Sequence, residues 1–346
     1  MVDNAYQSRG DELAAISGRK SPVLLTPARI VLPMVRYRLS FKAKEPVWFT
    51  DFPGSAWRGA LGHALRRVAC TTQLPVCSKC PEYRRCAYPL VFETPSPENT
   101  ERMMLYPTVP HPYVLSHRNV NPAWPEADRR CELMLTMIGN GNRHAATVVK
   151  TLEDAAAGPK GISGNRLRLG RVERELGMGS GKWEEWSGTN NEVLPEGLPM
   201  PPVPEEVVLK LITPLRVKTG GLRVGPDKFR FSDMFVNLMR RISALSYFHT
   251  ENPLDVDFRG LADAAKTVTA AMQLEWRDMD RYSSRQETEM KLGGVVGQIR
   301  VRDANLNLFW PFLWLGQWTH GGTGATMGLG QYSIRASLQE RETSPE

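Results

Sequence analysis

Two stretches of this 346-residue chain bring together, at short spacing, residue types that do chemistry. Cys70, Cys77, Cys80 and Cys86 form the pattern C-x6-C-x2-C-x5-C. The paired thiols of a CxxC hook can grip one tetrahedral ion, and the other two complete a four-thiolate set. Structural zinc is the first reading, an iron–sulfur cluster the second and unliganded thiols the third; the spacing does not separate zinc from the cluster. Four cysteines leave no open coordination position, so such an ion would staple a loop without catalysing anything. The second stretch is WPFLWLGQWTHGGTGATMGLGQY, Trp310 to Tyr332, in which an apolar run opens into a glycine-rich loop holding His320. Glycines there allow positive φ and close approach, and Gly321, Gly322 and Gly324 could offer backbone N–H groups to a phosphate. The glycine spacing fits neither a P-loop nor a dinucleotide fingerprint, so a purely structural glycine hairpin competes with phosphate binding.

His63 is the other candidate for proton transfer. Helical spacing puts it opposite an apolar stripe, with Gly59, Arg66 and Cys70 on its face and Arg67 alongside. It is either a surface histidine or a general acid or base working beside cations and a bound phosphate. His111 and His117, in a proline-containing loop, are weaker candidates, and His144 and His249 read as structural. The close carboxylate pairs Asp255/Asp257 and Asp278/Asp280 are explained by alternation or surface placement, so any phosphodiester chemistry is expected to be metal-independent. No Gly-x-Ser-x-Gly elbow supports a serine hydrolase.

The elements that must position these residues are legible in part. Met34 to Lys42 alternates Val35, Tyr37, Leu39 and Phe41 with Arg36, Arg38, Ser40 and Lys42, a strand with one apolar and one basic face. Ser55 to Ala69 reads as a helix capped by Ser55, with Trp57, Ala60, Leu61, Ala64, Leu65 and Val68 on its buried side. From Arg143 to Arg174 seven Lys or Arg face three acidic residues, which reads as a solvated loop or an RNA clamp. Glu184 to Glu206 is proline- and glutamate-rich, a linker by composition. Glu206 to Pro214 reads as a strand and Ser232 to Phe248 as a helix carrying Arg240 and Arg241; a glycine turn with Lys218, Arg223, Lys228 and Arg230 lies between them. Each half therefore opens strand, turn, helix with an Arg-Arg pair, the layout a βαββαβ unit used twice would give. The expected divisions are an extension over 1–30, a first domain over 31–183 with the cysteines inserted at 70–86, a linker over 184–206 and a second domain over 207–346.

Composition bounds the setting. The formal net charge of +7 suits nucleic acid or an acidic surface without requiring either. The apolar run Leu306 to Trp318 is shorter than the ~20 residues a span needs and is broken by Pro311, so no membrane association is expected. Four clustered cysteines and a start without a secretory pattern suggest a reducing cytoplasm.

Several of these segments together resemble one family, the RAMP-type CRISPR endoribonucleases that process precursor CRISPR RNA. The chain is similar to them at PGSAWRGALGHALRRVAC (Pro53 to Cys70), the four cysteines and the Tyr-Pro-Leu-Val-Phe-Glu ending at Glu93. The similarity continues at TPLRVKTGG (Thr213 to Gly221), RRISALSYFH (Arg240 to His249), RYSSRQ (Arg281 to Gln286) and the terminal glycine loop. The resemblance implies an α+β chain of two tandem ferredoxin-like, RRM-like domains that binds CRISPR repeat RNA. It also implies cleavage by attack of a ribose 2′-OH without metal, giving a 2′,3′-cyclic phosphate and a 5′-OH, often with the product retained. A catalytic histidine on the first helix would be His63, with Tyr37 or His320 as partner and Arg66 and Arg67 as electrostatic support. Lys160, Arg166, Arg168, Arg171, Lys218, Arg223, Lys228, Arg230, Arg240 and Arg241 would join the glycine loop in holding RNA. Thr323 stands where many relatives have a lysine, which removes a phosphate contact or a transition-state charge. The alternative is a non-catalytic subunit that caps the guide-RNA hairpin beside other CRISPR effector subunits.

Overall fold

The computed structural model describes residues 29–49, 52–96, 109–118, 127–188, 200–283 and 288–336. Residues 1–28 of the expected extension, residues 189–199 of the linker and part of RYSSRQ lie outside them, while Ile30 is buried in a core. In the first half, β1 (Met34–Lys42) is followed by α1 (Gly54–Ala69), β2 (Tyr113–Arg118), β3 (Arg130–Ile138), α2 (Ala145–Ala157), β4 (Arg168–Glu175) and β5 (Trp183–Glu185). The antiparallel sheet runs β2-β3-β1-β4-β5, with β1 paired to β3 from Met34↔Ile138 to Lys42↔Arg130. Period-two alternation turns Val35, Tyr37, Leu39 and Phe41 onto Trp57, Leu61 and Leu65 of α1 and Val148 and Leu152 of α2.

The opposite face of β1 is less basic than its sequence suggests. Arg36 bonds Glu175 at 2.9 Å and Arg38 bonds Glu173 at 2.7 Å, and both guanidiniums lie over the Trp183 ring. The glutamates come from β4, which no local pattern could have paired with β1. Helix α1 also departs from expectation at both ends. It starts at Gly54 after Pro53, with no side-chain cap from Ser55, and Val68 is 52% exposed.

The second half comprises β6 (Val207–Leu215), a β7 (Lys218–Thr219) and β8 (Leu222–Arg223) hairpin, α3 (Phe231–His249) and α4 (Phe258–Thr267). It continues with β9 (Ala270–Arg277), a β10 (Asp280–Ser283) and β11 (Thr288–Lys291) hairpin, β12 (Gly294–Val301), α5 (Leu306–Thr319) and β13 (Tyr332–Ala336). Its main sheet runs β13-β6-β12-β9, all antiparallel. Numbered within each half, both sheets have the strand order of one βαββαβ unit, with β5 added in the first. Helix α5 is apolar nearly all round and therefore buried, with Phe309, Phe312 and Leu313 fully enclosed despite Pro311. No helix among the described residues is long and apolar enough to cross a membrane.

The linker is shorter than composition implied. Trp183 to Glu185 extend the first sheet as β5, and the Pro201 carbonyl accepts a 2.9 Å bond from Trp310 Nε1. The two halves share a core at their junction. Met34, Val114 and Ile138 of the first half pack with the apolar residues of the second, and Met178, in the β4–β5 turn, joins them.

Candidate active site

The glycine loop after α5 is a joint between the halves. A Cβ on Gly54 at the start of α1 would lie 1.9 Å from the Met327 carbonyl oxygen, and one on Gly328 would lie 2.8 Å from the Leu115 carbonyl of β2. Its amides are largely committed. Gly321 N–H donates to Gly330 O, Gly322 N–H to Asn237 Oδ1 at 2.8 Å, and Thr323 N–H to Arg216 O at 2.9 Å. Gly321 and Gly322 therefore do not present the free N–H nest expected for RNA; Gly324, at φ +89°, borders open space with Gly322.

His320 sits inside this joint. It is 2% exposed, with Nε2 3.4 Å from Ser116 Oγ, and burial, with Arg241 second, pushes its pKa down to about 3. Such an imidazole stays neutral and out of reach of a substrate, so the structure corrects its assignment as a proton-transfer partner. Tyr37 is corrected likewise: it is 3% exposed in the first core, its ring 4.6 Å from that of Trp186.

Beside the joint, a cleft of about 410 Å³ opens between the halves, lined among others by Thr94, His111, Arg241, Gly324 and Thr326, with Glu93 as its carboxylate. Arg241 Nε donates to Thr319 O at 2.7 Å, while its enclosed Nη2 has no hydrogen-bond partner. Burial lowers its pKa to about 10, so it remains a cation at neutral pH. His111 Nδ1 lies 2.9 Å from Thr94 Oγ1 and its Nε2 3.5 Å from Arg58. Its ring stacks on Phe92 and Tyr113, and burial followed by Arg58 and Arg241 lowers its pKa to about 3. His249 closes the same region, its Nε2 2.7 Å from the Pro110 carbonyl across the domain boundary.

Along α1 the expected constellation divides. His63 is exposed, a Cβ on Gly59 one turn earlier would meet nothing within 4 Å, and Arg67 one turn later is exposed. Arg66 instead donates to Leu74 O at 3.1 Å and Pro75 O at 2.8 Å and lies over Tyr88, so it braces the cysteine loop. Arg58, overlooked in the sequence, lies 4.5 Å over Phe92 and reaches toward His111. Its place one turn before Gly62 was readable, but the Phe92 and His111 it meets are distant in sequence.

All four cysteines of the loop line one small cavity. Gln73 N–H donates to Cys70 Sγ at 3.2 Å, Thr72 Oγ1 lies 3.2 Å from Cys80 Sγ, and burial raises the Cys77 thiol pKa. As they stand, no three His, Cys, Asp or Glu side chains among the described residues form a ready metal-binding group. The donor set suits a thiophilic ion such as zinc; the placement of the thiols is not yet a coordination sphere. Cys131 is a buried core residue, as expected.

Of the remaining cations, Lys160, Arg166, Arg168, Lys218, Arg223, Lys228, Arg230 and Arg240 are exposed. Arg171 is exposed too, but pairs with Glu173 at 3.2 Å.

Two family models match separate parts of the chain. Residues 32–196 match a family model described as an AF_1859 N-terminal domain, and residues 209–332 match the model of the CRISPR-associated endoribonuclease Cas6. The second domain thus carries the Cas6 sequence pattern. A solved Cas6 (TTHB231) product complex aligns over 87% of this chain and 100% of its own, at 14% identity and a TM-score of 0.54, which shows the shared fold. Thermus thermophilus Cas6 (TTHB231) aligns over 89% of this chain and 100% of its own, at 14% identity and a TM-score of 0.48. A comparison with curated protein sequences gives no match. The Cas6 match over residues 209–332 supports a RAMP-fold protein that processes CRISPR repeat RNA.

Proposed function

We propose that this protein holds CRISPR repeat RNA on two ferredoxin-like domains and cuts it by in-line attack of a ribose 2′-OH on the adjacent phosphate, without a catalytic metal. The O2′–P bond forms as the P–O5′ bond breaks, leaving a 2′,3′-cyclic phosphate and a 5′-OH on the released strand. The reaction needs a group to take the 2′-OH proton, cations for the phosphorane charge and a proton for the leaving oxygen. The observation that carries the assignment is the exposure of His63 on α1, beside the open space at Gly59 and the free-standing Arg67, in a chain whose second domain matches Cas6. His63 acts as base toward the 2′-OH or as acid toward the leaving O5′, the other proton being exchanged with solvent water, and Arg67 supplies charge. Arg241, a cation lining the cleft, adds positive potential there.

Incubating the protein with its own CRISPR repeat RNA in excess EDTA tests this directly. A single cut ending in a cyclic phosphate is expected; tight binding without a cut would replace the enzyme by a guide-RNA-capping subunit.

We further propose that the four cysteines bind structural zinc as an insertion in the first domain, closing the loop that Arg66 braces. Replacing Cys77 and Cys80 with Ser is expected to remove about one zinc per chain by elemental analysis and to lower the thermal midpoint. Equal metal content and stability in wild type and variant would refute the site.

A further inference from the structure

Resting on the RNA-processing function proposed above, we infer that Trp48 is a stacking platform for an unpaired base of the bound RNA. Trp48 is 80% exposed, whereas its neighbours Val47 and Phe49 pack against the first core. An indole left in water forfeits a large burial gain, and a mobile one would also lose entropy when it gained a partner. The backbone of Trp48 is held instead. Asn165 Oδ1 accepts its N–H at 3.1 Å while Asn165 Nδ2 donates to its carbonyl at 2.8 Å, so one side-chain amide grips both sides of the residue.

The turn that aims Asn165 is demanding. Ile162 and Asn165 exchange backbone bonds of 2.9 Å, and Asn165 Nδ2 also reaches Ile162 O at 3.0 Å. Ser163 takes φ +50°, and Gly161, at φ +54°, would place a Cβ 2.2 Å from Asn165 O. This turn lies within the glycine- and arginine-rich stretch that sequence left as either loop or clamp.

Charge favours a polyanion as the occupant. Exposed Lys42 and Lys44 lead into Trp48, and exposed Lys160, Arg166 and Arg168 flank Asn165. Lys42 and Arg168 are register partners on β1 and β4, which ties the two groups to one edge of the fold. Exposed Glu45 and Asp128 are the acidic residues close by in the chain path. An exposed indole on a held backbone, with cations on the adjoining segments, can bind single-stranded nucleic acid through base stacking and phosphate contact together.

The test is anisotropy titration of 2′-O-methylated repeat RNA, which binds but cannot undergo 2′-OH attack, over a series of salt concentrations. Trp48→Ala is expected to weaken binding about 5- to 150-fold, the equivalent of one lost stacking contact, with the salt slope unchanged because no phosphate contact is removed. Trp48→Tyr is expected to restore most of the affinity. Unchanged affinity in Trp48→Ala would overturn the platform and leave the indole to a protein partner; a reduced salt slope would overturn it in favour of a disturbed charge contact. Wild-type cleavage of unmodified repeat RNA, run in parallel, separates the two ideas. Cleavage with a silent Trp48→Ala removes the platform alone, whereas neither cleavage nor repeat binding removes the function beneath it.

Discussion

His63→Ala is expected to slow repeat cleavage by at least about 100-fold while leaving RNA affinity nearly unchanged, the low end of what a general acid or base contributes. Exposure is what sets this residue apart from the buried histidines nearby. Of the histidines close to α1, the joint or the cleft, His111 and His320 are held neutral by burial and are already packed against Thr94 and Ser116 respectively. His249 bonds the Pro110 carbonyl. Only His63 among these stands exposed on a helix with room for a backbone to approach. Single-turnover cleavage of repeat RNA, with binding measured separately, checks it. Wild-type rates in the variant would take His63 out of the mechanism, and a parallel loss of affinity would make it a binding residue.

The same buried histidines lead to the second large effect, an acid-sensitive fold. Burial lowers His111 and His320 to about 3 and His249 to about 4, with Arg241 adding to each and Arg58 to His111. A histidine in the unfolded chain titrates at about 6.5. Below that value the unfolded state takes up protons that the folded state refuses, so stability is full above about pH 7 and falls as pH drops. Three such groups give a slope of up to about 4 kcal/mol per pH unit near pH 5, levelling off only when the folded histidines themselves protonate. Thermal midpoints are expected to be flat from neutral pH upward and to fall steeply below about pH 6. His249→Gln, which keeps a donor for Pro110 but cannot titrate, should make that fall shallower. A midpoint unchanged down to pH 5 would show that these imidazoles are not buried as described. Because all three line the junction of the halves, loss of stability there should also separate the cleft before the individual sheets melt, visible as early hydrogen exchange at the amides of His111 and Tyr113 and in the glycine loop.

The distinction between what was legible and what was not follows the range of the interactions. Period-two alternation located β1, and the apolar spacing located the buried faces of α1, Val68 excepted, and of α3, because burying one face is a local property of the sequence. The repeated strand–turn–helix opening likewise anticipated two sheets with matching strand orders. Cys70 to Cys86 could be grouped from spacing alone, and they do line one cavity, although their placement does not itself make a metal site.

Other roles depended on partners far along the chain. Arg36 and Arg38 looked like a basic surface until β4 supplied Glu175 and Glu173. Arg66 looked like catalytic support until the carbonyls of Leu74 and Pro75 claimed it. The glycines around His320 looked like a phosphate cradle, and tertiary contacts spend the amides of Gly321 and Gly322 on Gly330 and Asn237 and that of Thr323 on Arg216. The sequence by itself thus determined the type of the elements, the doubled layout, the cationic character and His63 as a candidate, since each follows from side chains a few residues apart. Only the tertiary structure decided which charges remain free and which histidines stay in water, because desolvation and pairing are fixed by whatever the fold brings alongside, and here that is mostly the other half of the molecule.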